Sequence, residues 1–209
     1  REVLAAVCYK GHVLPATGGA VPPGMPGHSP DIGLPYDPEQ ARLLLVQAGY
    51  PGGHGFPFLK ALLPKPYACV DYIQAQWRQE LDVDVEWEYV SHSRYRDRVR
   101  HDEPHLSFAA WSADYPDPDS FLRVGFGTER IGWRHDEYNR IVADARRLLD
   151  QPERMALYRR ADRILVNQAP VLAYGYGQSH ALLKQWVKRY ARSAIGYWSP
   201  WRDVVIEPH

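Results

Sequence analysis

The stretch Trp111-Ser112-Ala113-Asp114-Tyr115-Pro116-Asp117-Pro118 ends the apolar run Leu106 to Trp111 on a carboxylate, a second aromatic and two prolines. The apolar run reads as an interior strand. Pro116 biases Tyr115 towards extended backbone. Asp117-Pro118 reads as a helix start, in which the aspartate accepts from free amides and the proline fits the first turn. Asp114 is therefore expected in a rigid strand-to-helix corner at the carboxyl end of a strand, where open α/β sheets take their ligands. A carboxylate between two rings suits an ammonium group: the charged hydrogen bond gives direction, and the rings exclude water and turn negative faces to the cation. The alternative is that Asp114 only caps local amides while both rings fill the core. These residues alone leave the two readings open.

Upstream of the corner the pattern alternates. Phe56 to Leu63 reads as a strand, and a helix follows over roughly Ala68 to Leu81 with Val70, Ile73, Trp77 and Leu81 on one face. Val83, Val85, Trp87 and Tyr89 alternate with Asp84, Glu86 and Glu88, the mark of a half-buried strand. A short helix near Ser93 to Arg100 then leads into the run at Leu106. Strand, helix, strand, helix, strand implies an α/β sheet with helices packed on it.

Before this unit, Asp37-Pro38-Glu39 starts a helix carrying Ala41, Leu44, Leu45 and Ala48, with Gly49 placed to end it. Residues 15 to 27 are too rich in glycine and proline for regular structure, although Val13, Leu14, Val21 and Met25 could anchor them. After the corner come two helices. The first, Asp136 to Leu149, turns Ile141, Val142, Ala145 and Leu148 inward. The second, Glu153 to Gln168, does the same with Met155, Leu157, Tyr158, Ala161, Ile164 and Leu165. Pro170 to Tyr176 and His180 to Leu183 read as strands joined by a turn at Gly177-Gln178, and Val204 to Ile206 as a last strand.

Composition narrows the function classes. With 25 basic and 25 acidic residues among 209, the chain shows no broad charge footprint for nucleic acid or an anionic membrane. Cys8 and Cys69 form neither a disulfide framework nor a metal or redox spacing. No apolar run reaches membrane-spanning length. His101 and His105 have the spacing of a metal pair, but Pro104 between them breaks the helix that would align it. No nucleophile elbow, zinc-protease motif or phosphate-binding glycine loop occurs, so enzyme readings lack a nucleus. The run Arg94 to Arg100 is interrupted by Asp97 and reads as a solvated helix face. Seven Trp, fourteen Tyr and eighteen Pro suit a binding surface as well as they suit a core.

The run Trp111-x-x-Asp114-Tyr115-x-Asp117-Pro118, followed by Phe121-Leu122, resembles the ligand-lobe signature of the oligopeptide- and dipeptide-binding proteins that feed ABC importers, the extracellular solute-binding proteins of family 5. Pro22 to Gly27, Tyr36 to Leu44, Ala48 to Gly53, Ile73 to Trp77 and the helix with Arg154, Leu157, Tyr158, Ala161 and Ile164 resemble further stretches of that family in the same order. The likeness spans essentially the whole chain.

It implies an α/β fold, a type II periplasmic-binding-protein-like lobe with a mixed sheet flanked by helices. Residues 1–178 would be the C-terminal, ligand-contacting lobe. Residues 179–209, with Trp186, Trp198 and Trp201, would be a tail returning towards an N-terminal lobe that lies outside this sequence. The resemblance further implies a binding protein without cofactor, metal or catalysis. Its partners would be a peptide or other small amine-bearing solute, the N-terminal lobe and permease subunits, and the parent would work outside the cytoplasm. By the same likeness Asp114 accepts the ligand ammonium, Trp111 and Tyr115 form pocket walls, and the Ser112 backbone pairs with an extended ligand as an added strand would. Lys65-Pro66-Tyr67 is the nearest match to an Arg-Pro-Tyr-like stretch that holds the ligand carboxylate in some members. Phe108 stands where other members carry an arginine. A ligand-sensing or interaction module of a cytoplasmic regulatory protein, built on the same lobe, is the alternative.

Overall fold

The alternation of strands and helices upstream of the corner takes shape as a small parallel sheet. A computed structural model describes residues 1–67, 69–101, 104–191 and 201–208. In chain order the main elements are β1 (Val13–Pro15), α1 (Pro38–Gln47), β2 (Leu59–Leu63), α2 (Val70–Leu81), β3 (Val85–Tyr89), α3 (His92–His101), β4 (Leu106–Ser107), α4 (Thr128–Ile131), α5 (Asp136–Ala145), α6 (Gln151–Gln168), β5 (Gly175–Gly177), β6 (Val187–Lys188) and β7 (Val205–Ile206). The chain divides into two compact units, residues 1–34 with 111–209, and residues 35–110. Both parallel and antiparallel pairings occur, shared among three small sheets.

In the unit 35–110, β2 lies between β3 and β4, and all three run parallel, as consecutive β-α-β connections require. Ala61, Leu62 and Leu63 of the central strand are buried. Helix α2 is tied to β3 through Gln74, whose amide oxygen accepts from the Val85 amide at 3.0 Å and the Trp87 indole at 3.2 Å. Trp77 stacks on Trp87 with ring centres 6.1 Å apart. The expected alternation in β3 holds up to Trp87: Val83 and Val85 are buried and Trp87 half-buried, whereas Asp84, Glu86 and Glu88 face solvent, and Tyr89 at the strand's end is exposed too.

Helix α1 starts as read, with the Asp37 carboxylate accepting the Gln40 amide at 2.9 Å. No residue of this helix is fully buried, however, and Leu43, Leu44 and Val46 stand about half exposed. Helix α3 presents Arg94, Arg96 and Arg100 to solvent and buries Tyr95, as expected of a solvated face. It ends at His101, and the His105 Nδ1 is engaged by the Lys60 amide at 3.0 Å.

In the other unit, α5 and α6 enclose a core of Leu122, Tyr138, Ile141, Val142, Ala145, Tyr158, Ala161 and Leu165. Both helices turn the expected faces inward, although α5 ends at Ala145 instead of Leu149. Apart from Pro15, which ends β1, the glycine-proline segment has no helix or strand, yet its Val21 is fully buried and Met25 nearly so. Asp162 on α6 reaches under this segment, with Oδ1 accepting the Ala20 amide at 2.8 Å. Tyr176 donates to the Gly19 carbonyl at 2.7 Å.

Two expectations are corrected. The hairpin expected over Pro170 to Leu183 does not form. Gly175–Gly177 instead pairs antiparallel with Val13–Pro15, and His180 to Leu183 belong to no strand. A two-residue hairpin turn needs left-handed backbone, which neither Gly177 nor Gln178 adopts. Gly175 allows the long-range pairing, since a Cβ there would lie 2.2 Å from Val13 Cγ1. The strand expected over Leu106 to Trp111 is also shorter. Its ladder closes at Leu106–Ser107 because the Tyr95 hydroxyl takes the Phe108 carbonyl. The last strand is present as Val205–Ile206, paired with Val187–Lys188. Ala68, Asp102, Glu103 and Trp198 lie outside the described residues.

Candidate functional site

The Tyr115 carbonyl accepts the Asp117 amide at 2.8 Å across Pro116, and Asp117 starts a short helical turn, Pro118-Asp119, as expected. The Asp117 Oδ1 accepts the Asp119 amide at 2.9 Å, its carbonyl accepts the Ser120 amide at 3.1 Å, and the chain then enters a π-helical turn, Ser120–Gly125. Local capping therefore falls to Asp117. Asp114 caps no amide. Its carboxylate is exposed and has neither a hydrogen bond nor an ion pair among the described residues, while its own amide donates to Ser120 Oγ at 2.9 Å.

The rings on either side are fixed in different ways. Trp111 is half-buried, packs against the helical core and points its indole nitrogen at Ser120 Oγ, 3.4 Å away. Tyr115 donates to Asp119 Oδ2 at 2.6 Å and accepts from Arg123 at 3.0 Å, so its hydroxyl is committed to the protein. Ser112 is exposed, with neither its amide nor its carbonyl engaged by another described residue. That backbone is open to pairing with an extended ligand.

Beneath the corner lies an arginine-aspartate network. Arg154 from α6 grips both oxygens of Asp117, at 2.6 and 2.8 Å, with its guanidinium 5.0 Å from the Tyr158 ring centre. Arg123 grips both oxygens of Asp119. Burial alone would raise the Asp119 carboxyl, but the donors Arg123 and Tyr115 outweigh it and hold it below its ordinary range. Burial, reinforced by the neighbouring Asp119 charge, pushes the Tyr115 hydroxyl up. Arg146 adds a further guanidinium 3.7 Å from Asp119, so both carboxylates of the network are paired, and Asp114 stands outside it. Asp119, Ser120, Arg123 and Arg154 had no assigned role in the sequence. The one readable sign was the Asp119/Arg123 spacing, which puts opposite charges on neighbouring turns.

Lys65 and Tyr67 belong to the unit 35–110. They follow β2, and the Lys65 ammonium lies 5.4 Å from the Tyr67 ring centre. Tyr67 packs on Phe108, centre to centre 4.2 Å at a tilt of 31°. Phe108 directly follows β4, so both rings sit beyond the carboxyl ends of adjacent parallel strands. Where some family members carry a guanidinium, this chain has a tilted aromatic pair with an exposed ammonium nearby.

The model describing the middle region of the bacterial extracellular solute-binding proteins, family 5, matches residues 1–133, which include the corner. The chain belongs to this family. Among curated family 5 relatives, heme-binding protein A of Haemophilus influenzae is 32% identical over 94% of this chain and 38% of its own length. The dipeptide-binding protein of Escherichia coli is 26% identical over 94% of this chain and 39% of its own length. A solved periplasmic oligopeptide-binding protein of Borrelia burgdorferi superposes with a TM-score of 0.75 at 26% identity, over 83% of this chain and 36% of that one. The periplasmic binding protein DppA of Helicobacter pylori, solved with the peptide STSA, gives 0.75 at 25% identity over 99% of this chain and 42% of that one. The chain thus spans about two fifths of the length of the curated relatives it matches. These relatives are binding proteins, and the fold is that of one periplasmic-binding-protein lobe.

Proposed function

We propose that this lobe belongs to the substrate-binding component of an ABC importer for peptides or related amine-bearing solutes, with Asp114 accepting the ligand's ammonium group. The observation that carries the reading is the state of Asp114: an exposed carboxylate with no hydrogen bond or ion pair among the described residues, flanked in sequence by two rings that are themselves fixed. Nearby carboxylates of the corner are each gripped by an arginine, so the one left over is available to a partner outside local structure. An ammonium ligand is such a partner, because a charge-assisted hydrogen bond flanked by aromatic faces is stronger than one in open water. Dipeptide-binding relatives support the peptide class, and the open Ser112 backbone supports an extended ligand. Lys65 and Tyr67 offer a cation and a ring to an anionic or aromatic group.

On this reading residues 1–178 form the ligand-contacting lobe of an extracytoplasmic parent, and residues 179–209 return towards an N-terminal lobe. The exposed Leu182, Leu183, Trp201, Val205 and Ile206 support that role for the tail, since large apolar side chains left bare in one segment suit a covered interface. The test is a thermal-shift panel on the full-length protein with dipeptides, tripeptides and non-peptide amines. Stabilisation by free-amine ligands is expected. A panel in which no amine-bearing solute shifts the transition overturns the reading.

A further inference from the structure

One short element touches both the carboxylate segment and the first ring of the corner. Ser120, fully buried at the start of the π-helical turn, accepts from the Asp114 amide at 2.9 Å and from the Trp111 indole at 3.4 Å. Its hydroxyl oxygen is thus a shared anchor that fixes where Asp114 leaves the chain relative to the indole. At the other end of the turn Gly125 is buried under the same ring, where a Cβ would lie 2.6 Å from the indole Cγ and 2.7 Å from Cδ1. The turn is closed by the Phe126 amide on the Phe121 carbonyl at 2.7 Å, the wide i to i+5 bond that defines a π turn. Such turns are rare and concentrate at functional sites. Arg123 within the turn holds Asp119, which in turn holds the Tyr115 hydroxyl. Each group flanking Asp114 is therefore referenced to this turn.

We propose that Ser120 and Gly125 are positioning residues of the ammonium site. Ser120 sets the Asp114 carboxylate against the Trp111 ring, and Gly125 sets the depth at which that ring lies. The proposal rests on the reading of Asp114 as the ammonium acceptor and adds what places it. A buried serine that merely satisfied two donors would influence every ligand alike. A positioning serine influences only the part of the affinity that comes from the ammonium group.

The experiment measures dissociation constants of the full-length protein for Ala-Ala and Ala-Ala-Ala and for their N-acetylated forms, and reads the ratio of acetylated to free. A wild type that binds the free and acetylated forms equally overturns the ammonium reading itself and this proposal with it; one that binds neither overturns this proposal for peptide ligands. Where the wild type prefers the free amines, Ser120→Ala is expected to shrink the ratio about fivefold, the worth of one ordinary hydrogen bond. The acetylated peptides should keep their affinity. Gly125→Ala is expected to shrink the ratio as well, by moving the indole. Neither change should alter the ratio further in an Asp114→Asn background. A ratio unchanged in both variants, or affinity lost equally for free and acetylated peptides, overturns the positioning role while leaving Asp114 as acceptor. If Ser120→Ala does not fold, Ser120→Cys, close in volume but a weak acceptor, is judged by the same two outcomes.

Discussion

Replacing Asp162 with asparagine should change how stability depends on pH, and the structure gives the size of the effect. Asp162 is fully buried on α6, where Oδ1 takes the Ala20 amide at 2.8 Å and Oδ2 finds no donor among the described residues. Burial pushes its carboxyl up to about 6 from an ordinary 3.8, against the pull of the Ala20 and Val21 amides and of His28. Because the folded value lies above the unfolded one, the unfolded chain ionises first. Asp162 therefore adds nothing below pH 3.8 and withdraws stability progressively as pH rises to 6. At 1.36 kcal/mol per unit, the full withdrawal is about 3 kcal/mol. Asparagine keeps the acceptor for Ala20 and cannot ionise. Urea unfolding of both proteins from pH 4 to pH 7.5, compared at each pH, cancels the other titrating groups. The stability of Asp162→Asn relative to wild type should climb by roughly 2 kcal/mol across this range, the first part of the withdrawal being complete by pH 4. A difference that is flat in pH, or that falls as pH rises, refutes the reasoning.

Arg154→Met should destabilise the protein by about 2 kcal/mol in urea unfolding, because it leaves the Asp117 carboxylate partly buried without its bidentate partner. Gly19→Ala should destabilise it by roughly 1 to 3 kcal/mol, since the new Cβ would fall 2.1 Å from Asp162 Oδ2. Differential scanning calorimetry should show a lowered melting transition. Tyr95→Phe removes the donor that takes the Phe108 carbonyl and should cost about 1 kcal/mol. Hydrogen exchange at the β2–β4 amides should quicken accordingly.

What the sequence made legible is mostly local. The Asp37-Pro38 start of α1, the alternation of β3 up to Trp87 and the inward faces of α5 and α6 each follow from residues a few positions apart, and each is present. The α/β sheet followed from the strand-helix alternation, and its parallel order is what β-α-β connections produce. The pairing of β5 with β1 was not legible, because it joins Gly175 to Pro15 across most of the chain and depends on a close approach to Val13 that no local pattern announces. Nor was the exposure of Leu43, Leu44 and Val46 on α1, where periodicity indicates an apolar face but not whether anything covers it.

At the candidate site the turn at Pro116 and the helix start at Asp117 could be anticipated from local residues, whereas whether Asp114 caps amides or stands free could not. Nor could the division of labour beneath the corner. Three aspartates within six residues look equivalent in sequence, and only the arrival of Arg154 from α6 and Arg123 from the π turn shows which are structural. The serine that links Trp111 to Asp114 was hidden for a similar reason. Its role depends on a π turn, which apolar spacing does not distinguish from an ordinary helix start.

The central claim is that Asp114 receives a ligand cation. Isothermal calorimetry of the full-length protein with a free-amine peptide, comparing wild type with Asp114→Asn, tests it most directly, since the substitution keeps the shape and removes the charge. The account predicts an affinity loss of roughly 2 to 5 kcal/mol, because the ammonium would be left without its carboxylate. An unchanged affinity in Asp114→Asn would contradict it.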